Sequence, residues 1–176
     1  MMSRTKDFSG RKHVIRLVIT TIALFSFGLR AYAQQPPPRP ISVYFNPGLG
    51  LRFGAFFQST SGGTVIISPS GIRTSTGTVV LADMGYAFGA ANFQILANPG
   101  TVISILNGPD VILTGSNGGS LTLHIGTSSP ASPFITTASP PAQTSVNVGG
   151  TLTVGSPVAN PSGSYVGSFY VTFMQQ

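Results

Sequence analysis

The chain contains no cysteine, no tryptophan and no glutamate, and its two lysines, Lys6 and Lys12, both lie within the first twelve residues. Beyond residue 33 the only charged side chains are Arg39, Arg52, Arg73, Asp83 and Asp110, with His124 the single histidine there. Each absence excludes something. Without cysteine there are no disulfide staples and no residue to carry a lipoprotein acyl anchor. One histidine and two aspartates fall short of the usual zinc or calcium ligand sets. Nucleic-acid binding by counterion release needs clustered lysine or arginine, and three scattered arginines do not provide it. Long helices are excluded as well, because 22 glycines and 14 prolines punctuate the 176 residues and both residue types interrupt helices.

The formal charge of +6 belongs mostly to the N-terminus. Six cations and Asp7 fall within residues 1–33, leaving three arginines against two aspartates, or +1, for the rest. That N-terminus reads as a secretory signal. Arg4, Lys6, Arg11, Lys12 and Arg16 form a positive region, Leu17 to Leu29 an apolar run, and Ala31-Tyr32-Ala33 a small-residue cleavage site. An apolar run of thirteen residues spans only about 20 Å, short of the roughly 30 Å of a bilayer core, so a cleaved signal is expected rather than a membrane anchor. Cleavage after Ala33 places the mature protein in the periplasm, at the cell surface or outside the cell, with no stable membrane span. The expected organisation is a signal peptide over 1–33, a proline-rich linker over 34–40 and one β domain over 41–176.

From Ile41 onward, short runs of Val, Ile, Phe, Thr and Tyr alternate with Gly, Pro, Ser and Asn clusters, the signature of strands and turns. Alternation predicts inward faces at Leu49, Leu51 and Phe53; at Val65 and Ile67; at Val79 and Leu81; at Ala91, Phe93 and Ile95; at Ile103 and Ile105; at Val111 and Leu113; and at Leu121, Leu123 and Ile125. A last strand carries Tyr165, Gly167, Phe169, Val171 and Phe173 on one side. Two hairpin turns are expected, one at Ser116-Asn117-Gly118-Gly119 and one at Gly149-Gly150. A helical turn is allowed only over Asp83 to Ala91. The fold class is therefore all-β, an antiparallel sandwich or barrel, whose wet face carries Thr, Ser, Asn and Gln rather than Lys and Glu.

Candidate chemistry is sparse. His124 alternates with an apolar face and should be exposed. Asp110 follows Gly108-Pro109 and suits a turn-capping role. A catalytic Asp83–Asp110 pair is the only carboxylate pair available. The glycine clusters lack the following Lys-Ser or Lys-Thr of a phosphate loop. No catalytic, cofactor-binding or metal residues are assigned, and no cofactor is expected. Of the adjacent aromatics Phe56-Phe57 and Phe169-Tyr170, one member of each pair should lie outside the core.

Several segments in order resemble a bacterial exported family, domain of unknown function 4402. They are Leu51-Arg52-Phe53-Gly54, Gly62-Gly63-Thr64-Val65, Ser68-Pro69-Ser70-Gly71 with Arg73, Ala91-Asn92-Phe93, Val148 to Gly155, and Gly163 to Phe169. The resemblance implies an exported protein with an immunoglobulin-like or pilin-like β-sandwich, arranged like subunits of chaperone–usher fimbriae, with no catalytic or binding residues to carry over. The end of the chain, Phe173-Met174-Gln175-Gln176, departs from the family's usual aromatic or basic finish.

The leading expectation is a non-enzymatic surface or fimbria-like structural protein that associates with itself or with other cell-surface proteins. In it, Ile41 to Phe45 is either the domain's own first strand or a strand donated to a partner. The alternatives are a monomeric module binding polysaccharide through exposed Tyr and Phe beside Asn and Gln, and a small outer-membrane barrel. An enzyme would have to rely on His124, Asp83 or Asp110.

Overall fold

A computed structural model describes residues 39–176. The expected signal peptide, its expected cleavage site and linker residues 34–38 lie outside the described residues. Fifteen strands follow in chain order. They are β1 (Ser42–Phe45), β2 (Arg52–Phe53), β3 (Ala55–Phe57), β4 (Gly63–Ile67), β5 (Arg73–Gly77), β6 (Val80–Ala82), β7 (Phe88–Gly89) and β8 (Ala91–Leu96), then β9 (Val102–Asn107), β10 (Val111–Gly115), β11 (Ser120–Ser129), β12 (Phe134–Ile135), β13 (Thr144–Val154), β14 (Tyr165–Val166) and β15 (Val171–Gln175). The fold is all-β, with antiparallel ladders throughout.

The larger sheet runs β1-β8-β13-β11-β10-β14, with β4 also on β13 and β5 on β4. This path ends at β1 and β14, so it stays open rather than closing into a barrel. A second sheet has the order β12-β9-β15, and two ribbons pair β2 with β7 and β3 with β6. The sheets meet face to face: the ring of Phe173 on β15 lies 5.2 Å from that of Phe93 on β8. Between them lie Val65, Ile67, Ile95, Ile103, Val146 and Val148, all at 1% exposure or less. Each such side chain contributes about 1.5–3 kcal/mol on leaving water.

The alternation selects the inward faces well. Ala91, Phe93 and Ile95 are buried, as are Leu121, Leu123 and Ile125, while Thr122 is half-buried and His124 exposed. Phe57 is 60% and Tyr170 74% exposed, whereas Phe56 and Phe169 pack on the core. Ile41 to Phe45 also resolves: β1 pairs with β8 of its own chain, from Ser42 opposite Leu96 to Phe45 opposite Phe93.

Four expectations need correction. Leu49 is not on a strand; Pro47–Leu49 is a 3₁₀ turn started by proline and capped by Asn46, and it leaves Leu49 exposed. Asp83 to Ala91 forms no helical turn but bends into β7. The last strand is two: β14 joins β10 in the first sheet, and β15 joins β9 in the second. The chain thus crosses between layers within four residues, Gly167 to Tyr170.

The fourth concerns Gly149-Gly150, which is no turn. β13 runs straight through it for eleven residues, and neither glycine has positive φ. Up to Val148, β13 pairs with β8; from Gly150, the same side pairs with β4. On its other side β11 slips register between Ile125 and Ser128, so Gly126 and Thr127 face Gly149 in a bulge. Backbones crowd at this crossing. A Cβ on Gly149 would meet the backbone of Ile67, Ser68 and Pro69, so only glycine fits. The Ser116–Gly119 turn, by contrast, is a hairpin, with Gly118 at φ 86 and Gly119 at φ 73 joining β10 to β11.

Candidate functional site

The few ionisable side chains fall into place once the strands are fixed. In the β10–β11 hairpin Val111 lies opposite Leu123, so the next pair outward is Asp110 and His124. His124 Nδ1 and Asp110 Oδ1 are 2.7 Å apart, with 67% and 57% of the side chains exposed. Asp110 therefore holds a histidine rather than capping a turn. Asp83 sits exposed just beyond β6, in a separate ribbon, while Asp110 belongs to the large sheet.

Beside His124 is an open cleft of about 390 Å³, walled by Ile105, Asn107 and the segments around Gly126 and Ser132. A nucleophile there would have to offer its hydroxyl to the imidazole. Instead Ser132 Oγ accepts from Ile105 N at 2.8 Å, and Ser128 Oγ donates to Pro130 O at 2.8 Å. Among the described residues no three His, Cys, Asp or Glu side chains gather to hold a metal.

Arg73 is not an outward charge. It is half-buried, and Nη1 donates to Phe53 O at 3.1 Å and Ala55 O at 3.2 Å, while Nη2 donates to Ala82 O at 3.1 Å. Its guanidinium lies 4.2 Å from the centre of the Phe88 ring. One fork thus ties β2, β3, β6 and β7 to β5, where ribbons of two and three residues could not hold alone. Asn160 plays a similar part at 5% exposure. Its Oδ1 accepts from Gly155 N, and its Nδ2 donates to Ser120 O and Ala159 O.

The surface distinguishes itself at strand edges and on the outward face of β8 and β13. β1 exposes Val43, Tyr44 and Phe45 at 42%, 50% and 46%. Neither β1 nor β15 carries a charge or a proline, the usual devices that block edge pairing. On the outward face of β8 and β13, Asn92 donates to Ser145 Oγ and Asn147 Oδ1, both at 2.7 Å, and Gln94 donates to Asn92 Oδ1 at 2.8 Å. Tyr44 stands opposite Gln94 at the end of this amide ladder.

The family described as Domain of unknown function (DUF4402) matches residues 45–174, well over half of the chain. The chain belongs to the DUF4402 family. No curated protein and no solved structure matches it. The family match covers every strand but part of β1 and the end of β15, so the Arg73 staple, the glycine crossing and the open β15 edge lie within the DUF4402 domain. No helix among the described residues is long and apolar enough to cross a membrane.

The sequence reading missed two features. The His124–Asp110 contact was available by counting outward from the 116–119 turn. The half-burial of Arg73 had no local signal, because its partners are carbonyls on ribbons that alternation alone does not place.

Proposed function

We propose that this DUF4402 protein is an exported, non-enzymatic surface or fimbria-like structural protein of a bacterium, which meets its partners through strand edges and uncharged surface. The observation that carries this reading is the pair of bare edges. Among the described residues, β1 and β15 end their sheets without charge or proline and with no further strand paired to them, and β1 exposes Val43, Tyr44 and Phe45 there. A monomer with no use for such an edge would be under pressure to block it. Backbone groups at a sheet edge supply affinity for another extended chain, and alternate side chains supply selectivity. Immunogold electron microscopy of intact cells tests the proposal. Label on the outer surface or on filaments is expected; label confined to the cytoplasm of sectioned cells refutes it.

A second reading rests on Tyr44 and the amide ladder. An exposed ring beside Gln94, Asn92 and Asn147 suits a saccharide, stacked on the tyrosine and hydrogen-bonded to the amides. In that case a glycan array gives a hit that Tyr44→Ala removes. The absence of any hit leaves the structural reading alone.

A further inference from the structure

The second sheet stops one strand short of the first. At the end of β9, Asn107 Nδ2 donates to Ile125 O at 3.2 Å and Gly126 O at 2.8 Å, which places β9 under β11. The Phe173–Phe93 contact places β15 under β8. Moving from β9 to β15 therefore follows the first sheet outward from β11 towards β8. The next position beyond β15 faces β1. Val43 and Phe45 share the inward face of Ile95 and Phe93 by register, and Phe45 lies 5.3 Å from Phe93, ring to ring. Yet they are 42% and 46% exposed, against 0% for Ile95 and 9% for Phe93. Among the described residues no strand of the second sheet stands opposite these inward-facing apolar side chains, and Gly50 lies beside the Phe45 ring.

The rim of that gap is open backbone. Gly108 N donates to Tyr170 O at 2.9 Å, and Gln176 N donates to Val102 O at 3.0 Å. Antiparallel pairs alternate between bonded and non-bonded positions. The even-numbered residues of β15 thus bond to β9, and Val171, Phe173 and Gln175 turn their N–H and C=O groups towards the gap.

We propose that this gap accepts one extended, uncharged segment of another polypeptide chain. The segment adds to β15 as a fourth strand of the second sheet and lays alternate apolar side chains on Val43 and Phe45. This rests on the strand-edge reading above and says which edge receives and what enters. Three observations select the occupant. The walls are Val43, Phe45, Phe93, Val171 and Phe173, with no charge among them, so apolar side chains match and charged ones do not. The gap is one strand wide. An intact second copy pairing its own β15 here would bring its β8 layer into the place held by β1, so the occupant is a linear segment rather than a folded sheet. The chain's own residues 34–40 make a poor strand, because four of the seven are proline and proline donates no ladder hydrogen bond.

The test is a strand supplied in cis. The full chain is extended after Gln176 by one threonine, an Asn-Gly turn and seven residues alternating valine and threonine, which can fold back along β15 as far as Val171. Amide exchange followed by NMR and the thermal midpoint are compared with the parent protein. Exchange at Val171, Phe173 and Gln175 is expected to slow at least tenfold or so, with a rise in midpoint of about 5 °C. An extension with aspartate in place of valine gives neither effect, and Phe45→Ser removes most of the gain. The proposal is overturned if the valine extension protects none of the three amides, or if it protects them equally in the aspartate version. It is also overturned if the parent protein already protects them, either as a monomer or in a dimer of intact copies. Immunogold labelling of the parent protein is independent of all these outcomes, so the edge proposal can fail while the surface reading stands.

Discussion

Replacing Gly149 with alanine destabilises the fold by about 2–3 kcal/mol if the crossing of β8, β4 and β11 on β13 is as described. The new methyl would lie 3.0 Å from Ser68 C and Pro69 N and closer still to Ile67 O. These are backbone atoms in or next to β4 and cannot rotate aside. Overpacking of this kind costs typically 1–3 kcal/mol, and the upper end applies where backbone must shift. Alanine restricts the unfolded chain and returns up to about 1 kcal/mol, since φ at Gly149 is not positive. Two companion variants set the scale. At Gly150 the methyl meets Leu51 Cδ2 at 2.8 Å and His124 O at 3.0 Å. One of these is a side chain that can move, so the cost falls to about 1–2 kcal/mol. At Gly71 the space is open but φ is +80, and the left-handed backbone alone costs about 1 kcal/mol. Urea unfolding followed by circular dichroism measures all three, and the expected order is Gly149 above Gly150 above Gly71. If Gly149→Ala is neutral or stabilising, β13 does not run unbroken through the glycines and the reasoning fails.

Three further outcomes are expected. Arg73→Met loses three hydrogen bonds to carbonyls and costs about 3 kcal/mol in urea unfolding, and Arg73→Lys recovers only part because it lacks the planar fork. Asn160→Ala strands the Gly155 N–H and Ser120 C=O groups and lowers stability by about 2–3 kcal/mol in the same assay. His124→Gln changes stability by less than about 1 kcal/mol, since the exposed pair with Asp110 is weak; a larger loss means the pair organises the hairpin.

The sequence reveals strand faces more readily than strand partners. Inward positions such as Ala91, Phe93 and Ile95 follow from side-chain alternation, which is a local property. The Ser116–Gly119 hairpin follows from local turn chemistry in the same way. Gly149-Gly150 carries the same turn signal for a different cause: two neighbouring strands meet on one side of β13 and a bulge presses from the other, and none of those chains is near in sequence. The run from Tyr165 to Phe173 keeps its alternation across a change of sheet, because each half has its own inward face. The uncovered inward face of β1 was hidden for a related reason. Register against Ile95 and Phe93 places Val43 and Phe45 inward, and only the strand order of the opposite sheet shows that none of its described strands lies over them. The scarcity of charge was plain from composition; that Arg73 is an internal staple, leaving Arg52, Asp83 and the His124-bonded Asp110 as the surface charges of the strand region, was not.

The central claim is that this protein makes its contacts through open backbone edges and uncharged side chains, with long-range electrostatics playing little part. The most direct test compares two variants in cells by immunogold density at the surface, with folded abundance checked by limited proteolysis. One variant removes the surface charges of the strand region (Arg52→Gln, Asp83→Asn, Asp110→Asn). The other places proline at Val171 and Gln175, where it deletes N–H groups facing the open edge and spares the ladder to β9. The account predicts wild-type surface density for the neutral variant and loss of surface density for the proline variant at unchanged folded abundance. Loss in the neutral variant, with the proline variant assembling normally, contradicts it.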